Sequence, residues 1–357
     1  MISHLASRNL FLVGLASLVL LGQGCGGSSA PTGPDGGIFR TTDGGDTWAQ
    51  LKVINLGVKQ ASIANMGIVS MALDPEDGGA LYAGTTENGV IYSLDDGSSW
   101  QLAPAPMNAG RIQSIVVDPK DKCTVYAAVL NQIMKTSDCS RDWTRVYYDP
   151  RTDKSFTTLA VDWYNNQVIY AGTNDGDVLR SDNAGDSWRV VDRLDAVRIN
   201  QISIDPRDSR TLYVATAGSG LLKTSDGGQN WTGINKAFDA FDGSRRVNVL
   251  SLDPNNSGRV YTVSKYGILL SDDGGATWND LKLPTPPGSV DIKAFAVDPK
   301  DPKHLVYATA KAVIWSTDSG QTWTTKKLPS SRGAAVLLYD GMTPKPNLFL
   351  GAAPAAN

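Results

Sequence analysis

Six cations of this sequence recur at nearly fixed distances before an aspartate that ends an apolar run. Arg111, Arg198 and Arg246 stand seven positions before Asp118, Asp205 and Asp253. Lys154 and Arg332 stand eight before Asp162 and Asp340, and Lys293 stands five before Asp298. A guanidinium presents a planar fork of donors that grips a carboxylate through two parallel bonds. Gathered on one surface, these six cations would receive an anionic group, such as a carboxylate-rich stretch of protein or an acidic glycan. Arg151, Arg245, Lys265 and Lys311 would add to the same surface. The bland alternative is that loop cations are solvated or paired, and Asp195, Asp242 and Asp291 are placed to neutralise them.

Other chemistries find less support. His4 and His304 are the two histidines, too few for a histidine metal site or a Ser-His-Asp triad. Of 36 acidic residues, Glu76 and Glu87 are the two glutamates. Asn174-Asp175-Gly176-Asp177 has the outline of a calcium loop, but without a following bidentate glutamate it reads as a hairpin turn. Asp43-Gly44-Gly45 lacks the lysine of a phosphate loop. A net charge of −3 and the lack of aromatic-basic interleaving argue against nucleic acid. We therefore expect no catalytic residue, no metal and no cofactor.

The elements that must position the cations are written as two interleaved repeats. One runs Thr41-Thr42-Asp43-Gly44-Gly45-Asp46-Thr47-Trp48, and it returns around Asp95 and Trp100, Asp138 and Trp143, and Asn183 and Trp188. It continues at Asp226 and Trp231, Asp273 and Trp278, and Asp318 and Trp323, with Trp spacings of 52, 43, 45, 43, 47 and 45 residues. That is the length of a four-stranded propeller blade. The other repeat is an apolar strand ending in Asp, a turn, and a second strand with a central aromatic, as in Met71-Ala72-Leu73-Asp74 with Leu81-Tyr82-Ala83. It also occurs seven times, and Pro follows the Asp in five copies, stopping the strand and starting the turn.

The sequence thus predicts an all-β, seven-bladed propeller over 37–353, with a tail at 354–357. The first repeat opens it and the second closes it, so the last blade is composite: its inner strands A and B come from the C-terminal end, its outer strands C and D from the N-terminal end. In the first repeat, the Asp carboxylate can accept backbone N–H groups across the turn between strands C and D, Gly supplies positive φ, and Trp covers the junction with its indole N–H on a nearby carbonyl. Such carboxylates are turn locks. The chain resembles the Asp-box, or bacterial neuraminidase repeat, propellers, which include sialidases, xyloglucanases, sortilin-type receptors and photosystem II assembly factors. The likeness covers Gly37 to Ala352 and speaks for fold far more than for function. A sialidase-like site would need an arginine triad and a Tyr–Glu pair, for which Glu87 is the one glutamate on the required face; a xyloglucanase site needs two facing propellers. The photosystem II assembly factors are similar in carrying an arginine-rich face.

The chain begins with an export signal: Arg8, the apolar run Leu10–Leu21, then Gly22-Gln23-Gly24-Cys25. This resembles a lipoprotein cleavage box, with Leu21 one position too far from Cys25. We expect residues 1–25 to be the signal, with Cys25 as lipidation site, and 26–36 a flexible tether; an ordinary secretory signal is the alternative. The third box loses its Gly and gains Cys139, while Cys123 falls in the A–B turn of the same blade. Both turns open on one face, so in an oxidising compartment a Cys123–Cys139 disulfide is expected over two free thiols. The leading reading is a non-catalytic, lipid-anchored envelope protein, monomeric, binding a protein or anionic polymer through its basic rim. The alternative is a glycoside hydrolase or carbohydrate-binding propeller.

Overall fold

The computed structural model describes residues 35–56, 59–342 and 347–355. The segments expected to be signal, lipidation site Cys25 and tether, up to residue 34, lie outside the described residues. Within them the chain forms seven four-stranded antiparallel sheets, and a short 3-10 turn at Lys236–Ala240 is the one helical element. The innermost strands, A, are Ile68–Asp74, Ser114–Val117, Phe156–Val161, Ile199–Ile204, Val247–Leu252, Ala294–Val297 and Ala334–Asp340. Each lies beside the next, and the last returns to the first, which closes a ring around a central channel. We number the blades one to seven in that order. Blade seven is composite: Ile38–Thr41 pairs with Asn347–Ala352, with Phe39 opposite Leu350. Closure of this kind leaves each strand A as a short edge facing the channel, shielded by the neighbouring blades.

Between the composite blade and blade one a hairpin, Val53–Leu56 with Lys59–Ser62, is inserted. It accounts for the long first Trp spacing, and Val53 accepts the backbone N–H of the buried Trp100 at 2.8 Å.

The two repeats fasten the ring in different ways. Every strand-A aspartate is buried and accepts the N–H two residues on: Asp74 from Glu76 at 2.9 Å, Asp205 from Arg207 at 2.9 Å, Asp298 from Lys300 at 2.8 Å, and so around the ring. The second oxygen often reaches the following blade. Asp74 takes the N–H of Cys123 at 3.1 Å, Asp118 the amide of Asn166 at 3.0 Å, and Asp205 the hydroxyl of Ser257 at 2.8 Å. In the boxes, Thr41 donates to Asp43 at 2.8 Å and accepts from Gly45 N–H at 2.8 Å, while Thr47 donates its hydroxyl to Asp43 at 2.6 Å. Of the box indoles, those of Trp143, Trp188, Trp278 and Trp323 donate to an oxygen between 2.8 and 3.1 Å away. Those of Trp48, Trp100 and Trp231 have no partner among the described residues, so the carbonyl expected for each is not general.

A third fastener was not anticipated. In blades two, three and four the residue just before the box is a cation, Lys135, Arg180 or Lys223, lying 5.3–5.5 Å above the ring centre of Tyr126, Tyr170 or Tyr213. Cation and phenol both donate to one carbonyl in the next blade's box: Ala184, Gly227 and Gly274 in turn. A cation over an aromatic face with a shared acceptor joins strands B and C of one blade to the box of the next.

The box hydrogen bonds also set the response to acid. Bonds from Thr277 and Thr322 hold Asp273 and Asp318 down to about 2, and the carboxyls of Asp43, Asp95, Asp138 and Asp226 are likewise lowered by donors of their own turns. Below the ordinary pKa of about 3.9 the unfolded chain takes up protons that the folded boxes refuse, so stability falls with pH there. Urea midpoints are expected to hold steady above about pH 5 and to fall between about pH 4 and 2. A midpoint flat across that window would show that the boxes do not lock the turns.

Candidate functional site

The loops between strands D and A and between B and C converge on one mouth of the channel, opposite the boxes. All six predicted cations sit in D–A loops there, but they do not form one ring of equivalents. Arg111, Arg198 and Arg246 are exposed and form no ion pair among the described residues. Arg111 is oriented by its Nε–H, which donates to Gln113 at 2.9 Å. Partial desolvation of its exposed side chain by the surrounding loops first, and the charge of Arg111 second, lower the pKa of Arg198, so the two guanidiniums feel each other's field. Arg198 stays cationic all the same, because guanidinium does not deprotonate in proteins.

Lys154 is a correction to the ring. Its side chain is 1% exposed, and its ammonium bonds to Asp177 with Asp175 at 3.5 Å and Asp149 at 3.7 Å. The physical reason is desolvation: a buried ammonium persists only where carboxylates replace its water. Those carboxylates belong to the Asn174–Asp177 loop and to Asp149 at the end of the preceding blade. The turn with a calcium-like outline therefore closes around a lysine of its own chain. Arg151 binds Asp149 in bidentate fashion at 2.8 and 3.0 Å, and Arg193 reaches Asp177 at 3.3 Å. The paired Arg151 holds the Asp149 carboxyl down to about 2.

Arg332 is a second correction. It is 14% exposed, binds Asp35 at 3.2 Å and donates to the carbonyl of Asn65 at 2.9 Å. It ties the start of the described chain to blade seven and is not free to meet a partner. Lys293 is exposed but bonded to Asp291, as the bland alternative foresaw. Asp195 and Asp242 make no ion pair among the described residues, so they do not neutralise Arg198 or Arg246. Lys265 and Lys311, on B–C loops of the same face, are exposed and likewise unpaired there. Cationic character is thus concentrated over blades two, four, five and six.

Two cavities occupy the channel itself, one of about 550 Å³ bordered by Val69, Gln201 and Lys293, the other of about 660 Å³ at the far end by Trp163 and Met342. Glu87 lies at the mouth with its carbonyl bound by Gly110 N–H at 2.7 Å, and Glu76 lies in an A–B turn on the box face. Among the described residues no group of three or more His, Cys, Asp or Glu side chains is arranged to hold a metal ion. On the box face Cys123 and Cys139 are joined by a disulfide, and Cys139 N–H also donates to the carbonyl of Cys123 at 3.1 Å. The same backbone bond links box to A–B turn in other blades, as from Gly227 to Arg210 at 2.8 Å, so the cysteines occupy a meeting point the fold repeats.

Seven blades closed by a composite sheet and pinned by Ser/Thr-x-Asp-x-Gly-x-Thr/Ser-Trp turns make the chain a seven-bladed Asp-box β-propeller. Within that class, residues 196–336 match the family described as Photosynthesis system II assembly factor YCF48. The oligoxyloglucan-reducing end-specific xyloglucanase of Emericella nidulans is 24% identical over 211 residues, covering 56% of this chain and 21% of that enzyme. The chain thus spans about a fifth of the length of this relative. Among solved structures, the GH74 xyloglucanase from Xanthomonas campestris aligns with a TM-score of 0.67 at 17% identity, over 81% of this chain and 51% of that one. YCF48 bound to D1 peptide aligns with a TM-score of 0.63 at 17% identity, over 81% of this chain and 94% of that one. At these identities the structural likeness speaks for the fold alone.

Proposed function

We propose that the propeller is a binding module that takes an acidic segment of a protein partner at its basic mouth. The observation that carries this reading is the set Arg111, Arg198 and Arg246, exposed and unpaired in a chain whose net charge is negative. Unneutralised cations on a rim steer and grip carboxylates, and holding them apart from internal acids has a cost that a partner would recover. The YCF48 structure with a bound peptide lends support, since it is a propeller of matching extent that meets a protein segment. We further propose that export and lipidation at Cys25 place the module in the cell envelope. Replacing Cys25 by Ser is then expected to move the protein from the membrane to the soluble fraction, and unchanged fractionation would remove the anchor.

The triple variant Arg111→Glu, Arg198→Glu, Arg246→Glu tests the mouth. Used as bait for solubilised envelope proteins, it is expected to lose the partner that the wild type retains, by at least about a hundredfold in affinity. Its melting temperature should not fall, because none of the three arginines forms an ion pair within the fold. Capture by the triple variant equal to wild type would refute the reading. A second reading, action on or binding of a glucan, is favoured by the xyloglucanase relatives. Release of reducing sugar from xyloglucan by the wild type, lost when a mouth aspartate such as Asp195 becomes Asn, would decide for it.

A further inference from the structure

Between blades five and six the mouth holds a separate cavity of about 660 Å³. Arg246, Lys265 and Lys293 stand on its walls against one carboxylate, Asp291, which Lys293 already holds. Its apolar lining includes Val290 and the buried Ile292. The walls are preformed. Gly288 N–H donates to the carbonyl of Tyr266 at 2.9 Å, and Ser289 N–H to that of Pro286 at 3.2 Å, behind the stiff pair Pro286-Pro287. The stem of Lys265 lies against Gly243, where a Cβ would stand 3.2 Å from it and where φ is 79°. Little ordering is therefore needed on binding, which is where affinity is usually lost.

We propose that this cavity seats one acidic side chain of the partner together with an adjacent apolar residue, the carboxylate between Arg246 and Lys265 and the apolar group on Val290. The inference rests on the reading that the mouth binds an acidic segment, and it adds the local pattern that segment must carry. A small anion would use the cations but leave the apolar lining bare; a segment pairing acid with apolar residue uses both. The size, within the usual range for ligand pockets, suits side chains of that kind.

The test uses the full chain and two fluorescent peptides, one alternating Glu and Leu, the other alternating Glu and Ser, read by anisotropy. The wild type is expected to prefer the Glu-Leu peptide. In the double variant Arg246→Gln, Lys265→Gln that peptide should bind about tenfold more weakly, and Ser289→Trp, which obstructs the entrance, should erase the preference for leucine. Lys327→Gln, on an exposed outer strand, serves as the control. Double-variant affinity equal to the control, with binding still lost in Arg111→Gln, Arg198→Gln, would overturn the cavity proposal and leave the mouth reading in place. Equal affinity in all variants would overturn both. No preference between the peptides in the wild type would also count against the apolar half of the site.

Discussion

Replacing Lys154 by Met is expected to destabilise the propeller by about 3 kcal/mol or more, the usual scale when one partner of a buried ionic cluster is removed. The lysine is buried with Asp149 and Asp177, both themselves buried, and its ammonium stands among three carboxylates. Methionine fills the same space, so packing loss is small and the effect isolates the charge. Arg151 and Arg193 approach the same carboxylates from the surface and limit the loss, but their exposed guanidiniums cannot replace a donor at the centre of the cluster. The double variant Lys154→Met, Asp177→Asn should recover part of the stability, because it removes the nearest stranded charge. Melting of the single and double variants against wild type measures both. A single variant as stable as wild type would mean that the cluster is solvated and that Lys154 belongs to the rim after all.

Loss of the disulfide should have an effect of similar size. Cys123 and Cys139, 16 positions apart, close a loop for which the chain-entropy estimate is about 3 kcal/mol. The site adds a second contribution. Box positions four and five are left-handed in every copy, and glycine holds position five in six of them; the third box places Cys139 at φ 58° and Ser140 at φ 73°. A left-handed residue with a Cβ costs roughly 1 kcal/mol or more. Cys123→Ser with Cys139→Gly should therefore lose about 1 kcal/mol less than Cys123→Ser with Cys139→Ser. The adjacent Ser140→Gly would relieve the same kind of strain but remove the hydroxyl that takes the indole N–H of Trp143 at 2.8 Å. Denaturant titration of the two double variants under oxidising conditions separates the terms. Equal stability of wild type and both variants would show that the third box needs no fastening.

Much of the fold was legible because the box and the strand-A aspartate are local fasteners repeated seven times. The Asp of a box bonds to residues within four positions of itself, so its role is spelled out in the motif. The composite blade followed from the order in which the two repeats begin and end. The cation before the box was missed because it recurs in some blades only: Tyr92, Leu270 and Trp315 hold the equivalent place in three others. It also acts across blades, on a carbonyl more than forty positions away.

The rim was half legible. Shared spacing from the strand-A aspartate put all six cations on one face, since position along a strand fixes which end of the blade a residue occupies. Spacing says nothing of what approaches from other loops. Lys154 is neutralised by carboxylates on either side of it in sequence, and Arg332 by Asp35, 297 positions away. Arg111, Arg198 and Arg246 escape such pairing, and they are the three that share the seven-residue spacing, against eight or five for the others.

The measurement that most directly tests the mouth as the binding surface is the salt dependence of affinity for an acidic peptide, taken for the wild type and the triple arginine variant together. Exposed charges are screened within about 8 Å at physiological ionic strength. Wild-type affinity should fall steeply as salt rises, and the triple variant should bind weakly at every salt concentration. Affinity independent of salt in the wild type, or a salt-dependent affinity undiminished in the triple variant, would contradict the assignment of binding to these three arginines.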